Sequence, residues 1–156
     1  MFFESDYKIL SNEKIAKDVY KMRLEGDTSH ITAPGQFVNI KLDGKFLRRP
    51  ISVCDCEENV ITIIYKVVGE GTEQMSNLKI GKMLNVLTGL GNGYDISKST
   101  KPLLIGGGVG VPPMYFLAKM LKDENDITFV LGFRSKSQII LENELKKYGD
   151  VFVATD

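Results

Sequence analysis

Two adjacent arginines, a proline and a serine run together as Arg48, Arg49, Pro50, Ile51 and Ser52, between stretches that alternate apolar and polar residues. A guanidinium is a planar fork of donors that meets a phosphate at two points. Pro50 fixes its own φ and biases Arg49 toward extended geometry, which can hold the guanidinium outward from a sheet edge. Ser52 adds a hydroxyl able to donate to a heterocycle nitrogen or carbonyl. The same residues also read as a solvated arginine pair ahead of an edge strand. A second candidate is GEGT at residues 69–72, leading into EQMSNL, a short predicted helix with Thr72 as its N-cap. Glycines there let an anion approach free backbone N–H groups, although Gly-x-Gly serves equally as a hairpin exit.

A third candidate is GGGVGVPP at residues 106–113, four glycines within five positions followed by a helix start. It is not the dinucleotide fingerprint, because the third required glycine falls on Val111 or on Pro113. No Gly-Lys-Ser/Thr follows, so it is not a P-loop either. A glycine turn between a first parallel strand and its helix is nonetheless where open α/β sheets bind nucleotides. That makes Gly106, Gly107, Gly108, Gly110 and Pro112 candidates for holding NAD(P), against the plainer reading of a tight turn. Arg134 and Ser135 close the next strand, where an arginine accommodates a ribose 2′-phosphate, so NAD and NADP both stay open. Arg134 also reads as a solvated loop residue.

The elements that would position these residues change period along the chain. Residues 7–10, 19–24, 36–42, 51–54, 60–68 and 83–87 are predicted strands separated by turn signals, which suggests a small antiparallel barrel. GLGNGYD at residues 89–95 is a glycine-dense loop, and the polar ISKSTK after it reads as a linker. The boundary is placed near residue 100, with a barrel domain over 1–100 and an α/β domain over 101–156. Beyond it come a strand at 103–105, a helix at 112–122, a strand at 127–133, a helix at 137–148 and a strand at 151–154. That order is half of a doubly wound parallel sheet. On the first of these helices Met114, Leu117 and Leu121 share one face, while Lys119 and Lys122 reach solvent.

Composition removes several classes. The chain has 156 residues with 20 basic and 20 acidic side chains, and no basic run to meet nucleic acid. Its apolar stretches fall short of a membrane span and the N-terminus lacks a signal-peptide pattern, so a cytoplasmic protein is expected. Cys54 and Cys56 are the only cysteines, too few for a four-ligand metal site; in a strand they would share one face as reduced bystanders. His30 is the only histidine, sits in a polar turn and reads as a surface residue.

RPIS at 49–52, IYK at 64–66, GT at 71–72, GLGNGYD and GGGVGVPP together resemble the ferredoxin–NADP reductase superfamily, and within it the electron-transfer subunits of class B dihydroorotate dehydrogenases. The likeness covers essentially the whole chain. It implies an FAD-binding antiparallel barrel followed by a partial α/β nucleotide domain. It implies FAD across the barrel edge, with Arg49 on the pyrophosphate, Ser52 near the isoalloxazine, and Pro50 and Ile51 also among the FAD-binding residues. Ile64, Tyr65 and Lys66 would line the ribose and phosphate side, and Gly71 and Thr72 would offer the helix start. The implied activity moves electrons between NAD(H), FAD, a [2Fe–2S] cluster and the FMN of a catalytic subunit, in a heterotetramer of pyrimidine biosynthesis. A related NAD(P)H:ferredoxin or sulfide-linked flavin reductase, and a redox-silent binding module, are the rivals. The cysteine-rich cluster segment of that family lies near its C-terminus and has no counterpart here, so the chain reads as an N-terminal portion. Three parallel strands with open edges predict self-association, or poor order beyond about residue 100.

Overall fold

A computed structural model of the chain describes residues 1–97, 101–122 and 126–156. The expected boundary near residue 100 touches 98–100, outside the described residues. Six strands, β1 (Phe3–Ala16), β2 (Val19–Glu25), β3 (Phe37–Ile40), β4 (Arg49–Glu57), β5 (Val60–Lys66) and β6 (Met83–Leu90), close an antiparallel barrel in the order β1-β2-β5-β4-β3-β6. Inward positions of successive strands fill it: Tyr7, Ile9, Met22, Leu24, Ile40, Ile61 and Ile63 are fully buried. Each such side chain contributes about 1.5–3 kcal/mol relative to exposure.

β1 is far longer than the four residues its alternation suggests. Its register shifts between Ile9 and Ser11 and again between Lys14 and Ala16. Each irregularity breaks the period of two, so the polar SNEK half does not read as a strand. The bend lets Phe3 to Lys8 pair with β6 while Lys8 to Ala16 pair with β2. The arginine pair also differs from expectation: Arg49 and Pro50 open β4 rather than a turn ahead of it.

α1 (Glu70–Ser76) closes one end of the barrel with Met75, which is fully buried in the barrel core. Asn12 Nδ2 donates to the carbonyls of Met75 and Leu78, at 2.9 and 3.1 Å, while its Oδ1 accepts from the Tyr65 hydroxyl at 2.8 Å. Burial raises the Tyr65 hydroxyl's pKa well above the ordinary phenol range.

The second half is a parallel sheet, β7 (Leu103–Gly107), β8 (Ile127–Phe133) and β9 (Gly149–Thr155), in the order β7-β8-β9. α2 (Pro112–Leu121) carries proline at its first turn, where a missing N–H costs no helical bond. Met114, Leu117, Ala118 and Leu121 pack into the core under the sheet, and Phe116 reaches the barrel core instead. The predicted helix over 137–148 is a correction. Only α3 (Glu142–Leu145) is α-helical, after a 3₁₀ turn at Lys136–Gln138, an extended Ile139 and a left-handed Leu141. Three consecutive apolar residues at 139–141 do not make a helical stripe, and the bend brings Ile140 and Leu145 both into the core.

Lys119 is partly exposed, as expected, but its ammonium is also paired. Its Nζ sits 2.9 Å from Asp55 Oδ1, an ion pair tying α2 to β4 across the two halves. The Asp55 side chain is only 13 % exposed and its carboxylate also accepts from the Cys56 N–H at 2.9 Å. Asp55→Asn should lower unfolding stability by about 1–2 kcal/mol in urea denaturation, because a half-buried ammonium loses its charge partner.

The two cysteines do not share a face. β4 shifts register against β5 between Val53 and Asp55, so Cys54 packs into the core under the parallel sheet while Cys56 lies against the barrel core. Burial pushes the Cys54 thiol up to about 12, which leaves it protonated and unreactive at neutral pH. His30 is half-exposed and stacks on Phe3 with 4° between the ring planes. No helix among the described residues is long and apolar enough to cross a membrane.

Candidate functional site

The barrel wall opens where two of its neighbours part. β4 and β5 are paired from Val53 and Ile63 to Glu57 and Val60, and not beyond. Residues 49–52 remain paired to β3 on their other side. Ile64, Tyr65 and Lys66 remain paired to β2. A proline suits a strand segment with a ladder on one side only. The parted strands leave a cleft of about 340 Å³, lined by Arg49, Pro50, Ile51, Ser52, Ile64, Tyr65, Lys66, Val68, Thr72 and Val109.

Arg49 is held over the start of α1. One guanidinium nitrogen donates to the Leu47 carbonyl, and the group lies so close to Gly71 that any Cβ there would overlap its Nε and Cζ. The glycine is required by this approach and not by backbone conformation. Thr72 is the third residue of the helix and not its N-cap, a position taken by Gly69. Its hydroxyl accepts from the Val68 and Gly69 N–H groups at 2.9 and 3.2 Å and donates to the Gly69 carbonyl at 3.0 Å. Thr72 therefore shapes the turn below Arg49, with its own hydroxyl fully engaged. The Ser52 hydroxyl and the Lys66 ammonium have no hydrogen-bond or ion-pair partner among the described residues, which leaves both free for a ligand. Tyr65 is 1 % exposed with its ring in the barrel core, so it offers the cleft main chain rather than phenol.

A second cleft, of about 670 Å³, lies at the carboxyl ends of the three parallel strands. Gly107 and Gly108, Phe133 and Arg134, and Thr155 and Asp156 line it, and it shares Lys66, Val68 and Val109 with the first. Gly108 has φ +53°, a left-handed turn that glycine adopts without strain. Gly106, Gly110 and Pro112 line neither cleft. Gly106 is buried, with a built Cβ 3.1 Å from the Gly110 carbonyl oxygen, so these residues make the tight turn itself. GLGNGYD does not converge on either cleft. Tyr94 donates its N–H to the Pro34 carbonyl at 2.8 Å, and Tyr94, Asp95 and Ile96 border a separate apolar hollow against β7 and α2.

Val68, Val109, Gln138 and residues 154–156 were not singled out by sequence. Val109 carried a signal, being the only side chain within GGGVG. The others face a cleft only because of the tertiary fold. No group of three or more His, Cys, Asp or Glu among the described residues could hold a metal ion.

The family model for the oxidoreductase NAD-binding domain matches residues 104–151. The dihydroorotate dehydrogenase B (NAD(+)) electron transfer subunit of Fusobacterium nucleatum subsp. nucleatum is 46% identical over 160 residues, covering 96% of this chain and 62% of that protein. The subunit of the same name from Bacillus pumilus is 41% identical over 157 residues, covering 94% and 61%. The chain thus spans about three fifths of the length of the curated relatives it matches. A solved NADH-dependent reduced ferredoxin-NADP oxidoreductase superposes with a TM-score of 0.88 at 36% identity, over 96% of this chain and 56% of that one. Phthalate dioxygenase reductase shares the fold, with a TM-score of 0.80 at 23% identity over 98% of this chain and 52% of that one.

Proposed function

We propose that this chain, a homologue of the dihydroorotate dehydrogenase B electron transfer subunits and so of an oxidoreductase family, holds FAD in the cleft between β4 and β5 and receives NAD(H) in the cleft beside it. The observation that carries this reading is the Arg49 guanidinium packed on Gly71 at the mouth of the first cleft, a cationic cradle that a Cβ would fill. FAD, when bound, supplies hydride acceptance from a nicotinamide and the onward release of single electrons.

The protein's own share is binding and orientation. Arg49 offsets the pyrophosphate charge, and Thr72 keeps the Val68–Gly69 turn in the shape that admits it. Ser52 presents a free hydroxyl to a ring heteroatom, and the apolar faces of Pro50 and Val109 suit a flat heterocycle. In the second cleft Gly107 and Gly108 let a dinucleotide backbone approach closely, and Arg134 stands where its ribose would lie.

We infer that this chain takes part in passing electrons between NAD(H), FAD, a [2Fe–2S] cluster and the FMN of a catalytic partner subunit in pyrimidine biosynthesis, within a heterotetramer. The residues present here do not fit the cluster, since Cys54 and Cys56 are the only two thiols and face different cores. No step is assigned to it in this chain. The 36% likeness to a ferredoxin-NADP oxidoreductase favours a second reading, a ferredoxin-linked reductase subunit. Turnover with orotate, compared with turnover with ferredoxin, separates the two.

Titrating the flavin-free chain with FAD and with FMN tests the cleft assignment. A cradle built for a pyrophosphate should hold FAD at least about tenfold more tightly, one charge-assisted contact's worth. Equal affinity for both, or for neither, contradicts it.

A further inference from the structure

The two clefts are separated by very little. They share three lining residues, Lys66, Val68 and Val109, and the turn that carries Val109 packs against β5. Val68 and Val109 are apolar and cannot meet a phosphate. Lys66 is therefore the one charged group common to both. The first cleft otherwise holds Arg49 as its cation, and the second holds Arg134 together with the acid Asp156. Lys66 ends β5 with its backbone fixed opposite Val19 in the ladder. Its ammonium is a compact charge on a flexible stem, with no ion pair among the described residues to hold it to one side.

We propose that Lys66 is a single cation shared by two neighbouring dinucleotide sites, so that their occupants compete for its ammonium. The inference rests on the assignment of FAD to the first cleft. An anion bound in either cleft draws the ammonium toward itself. The second anion then gains less from it and also meets the charge already bound. The result is mutual weakening, equal in both directions because linkage is reciprocal. This would hasten release of a nicotinamide dinucleotide from beside a loaded flavin site.

The test is a pair of titrations on the chain: FAD, followed by flavin fluorescence, with and without saturating ADP-ribose, and ADP-ribose, followed calorimetrically, with and without FAD. In the parent, each ligand should weaken the other by about fivefold, the lower end of typical coupling sizes. K66M should bind both ligands about tenfold more weakly, as expected for loss of a charge-assisted contact, and the mutual effect should shrink to the direct repulsion between the two bound anions. K66R keeps the charge and should retain both behaviours, which guards against a folding defect in K66M. R134M should weaken ADP-ribose alone.

Loss of only one ligand in K66M, an unchanged mutual effect in K66M, or no mutual effect in the parent overturns the inference. So does a parent that binds FAD and not ADP-ribose, and in all these cases FAD binding itself stands. A parent that binds no FAD overturns the functional reading instead.

Discussion

Arg49→Ala should weaken FAD binding by about a hundredfold, the size expected when a two-point charged contact to a phosphate is lost. The side chain is only half-buried and contributes to no core, so the fold should be retained. Among the described residues the guanidinium has one acceptor, the Leu47 carbonyl, which leaves most of its donors available to a ligand. Lysine at this position should recover only part of the affinity, because a point charge replaces a fork of donors. Flavin fluorescence titration of the parent and both variants measures the effect. Retention of FAD at parental affinity by Arg49→Ala would remove the pyrophosphate from this cleft.

Gly71→Ala should separate stability from binding. Gly71 lies inside α1 with no positive φ, so alanine suits the local backbone and favours the helix by up to about 1 kcal/mol. Its Cβ, however, occupies the space of the Arg49 Nε and Cζ, and the guanidinium has to leave. The variant should melt no lower than the parent by more than a degree or so, yet bind FAD about thirtyfold more weakly, approaching the loss of the whole Arg49 contact. The decisive comparison is the double variant. With Arg49 already replaced by Ala, the alanine at 71 has nothing to displace and should add almost no further loss, a strong non-additivity. Additive losses would mean that Gly71 acts on the ligand independently of Arg49.

How far the sequence discloses this arrangement depends on how local the signal is. β2, β5 and β8 alternate or run apolar without interruption, and their positions follow from that pattern. β1 and the faces of Cys54 and Cys56 do not follow, because bulges shift the period and a bulge has no compositional mark in SNEK or VCDC. The glycine turn at 106–110 can be placed between strand and helix from composition. Which of its glycines face a cleft and which only turn the chain is decided by packing against Val111 and β5. The approach of Arg49 to Gly71 joins residues far apart in sequence and exists only once the barrel closes. The same holds for the Lys119–Asp55 pair, which reads as a solvent-facing lysine on the helix face alone.

On this reading the parted edge of the barrel is a flavin site. Its most direct test is the visible absorption spectrum of the purified protein, with chromatographic identification of whatever flavin it releases on denaturation. A yellow protein that releases FAD is the expected result. A colourless protein that also takes up no added FAD would contradict the account, and would leave residues 49–52 as a charged strand end on a barrel with a different task.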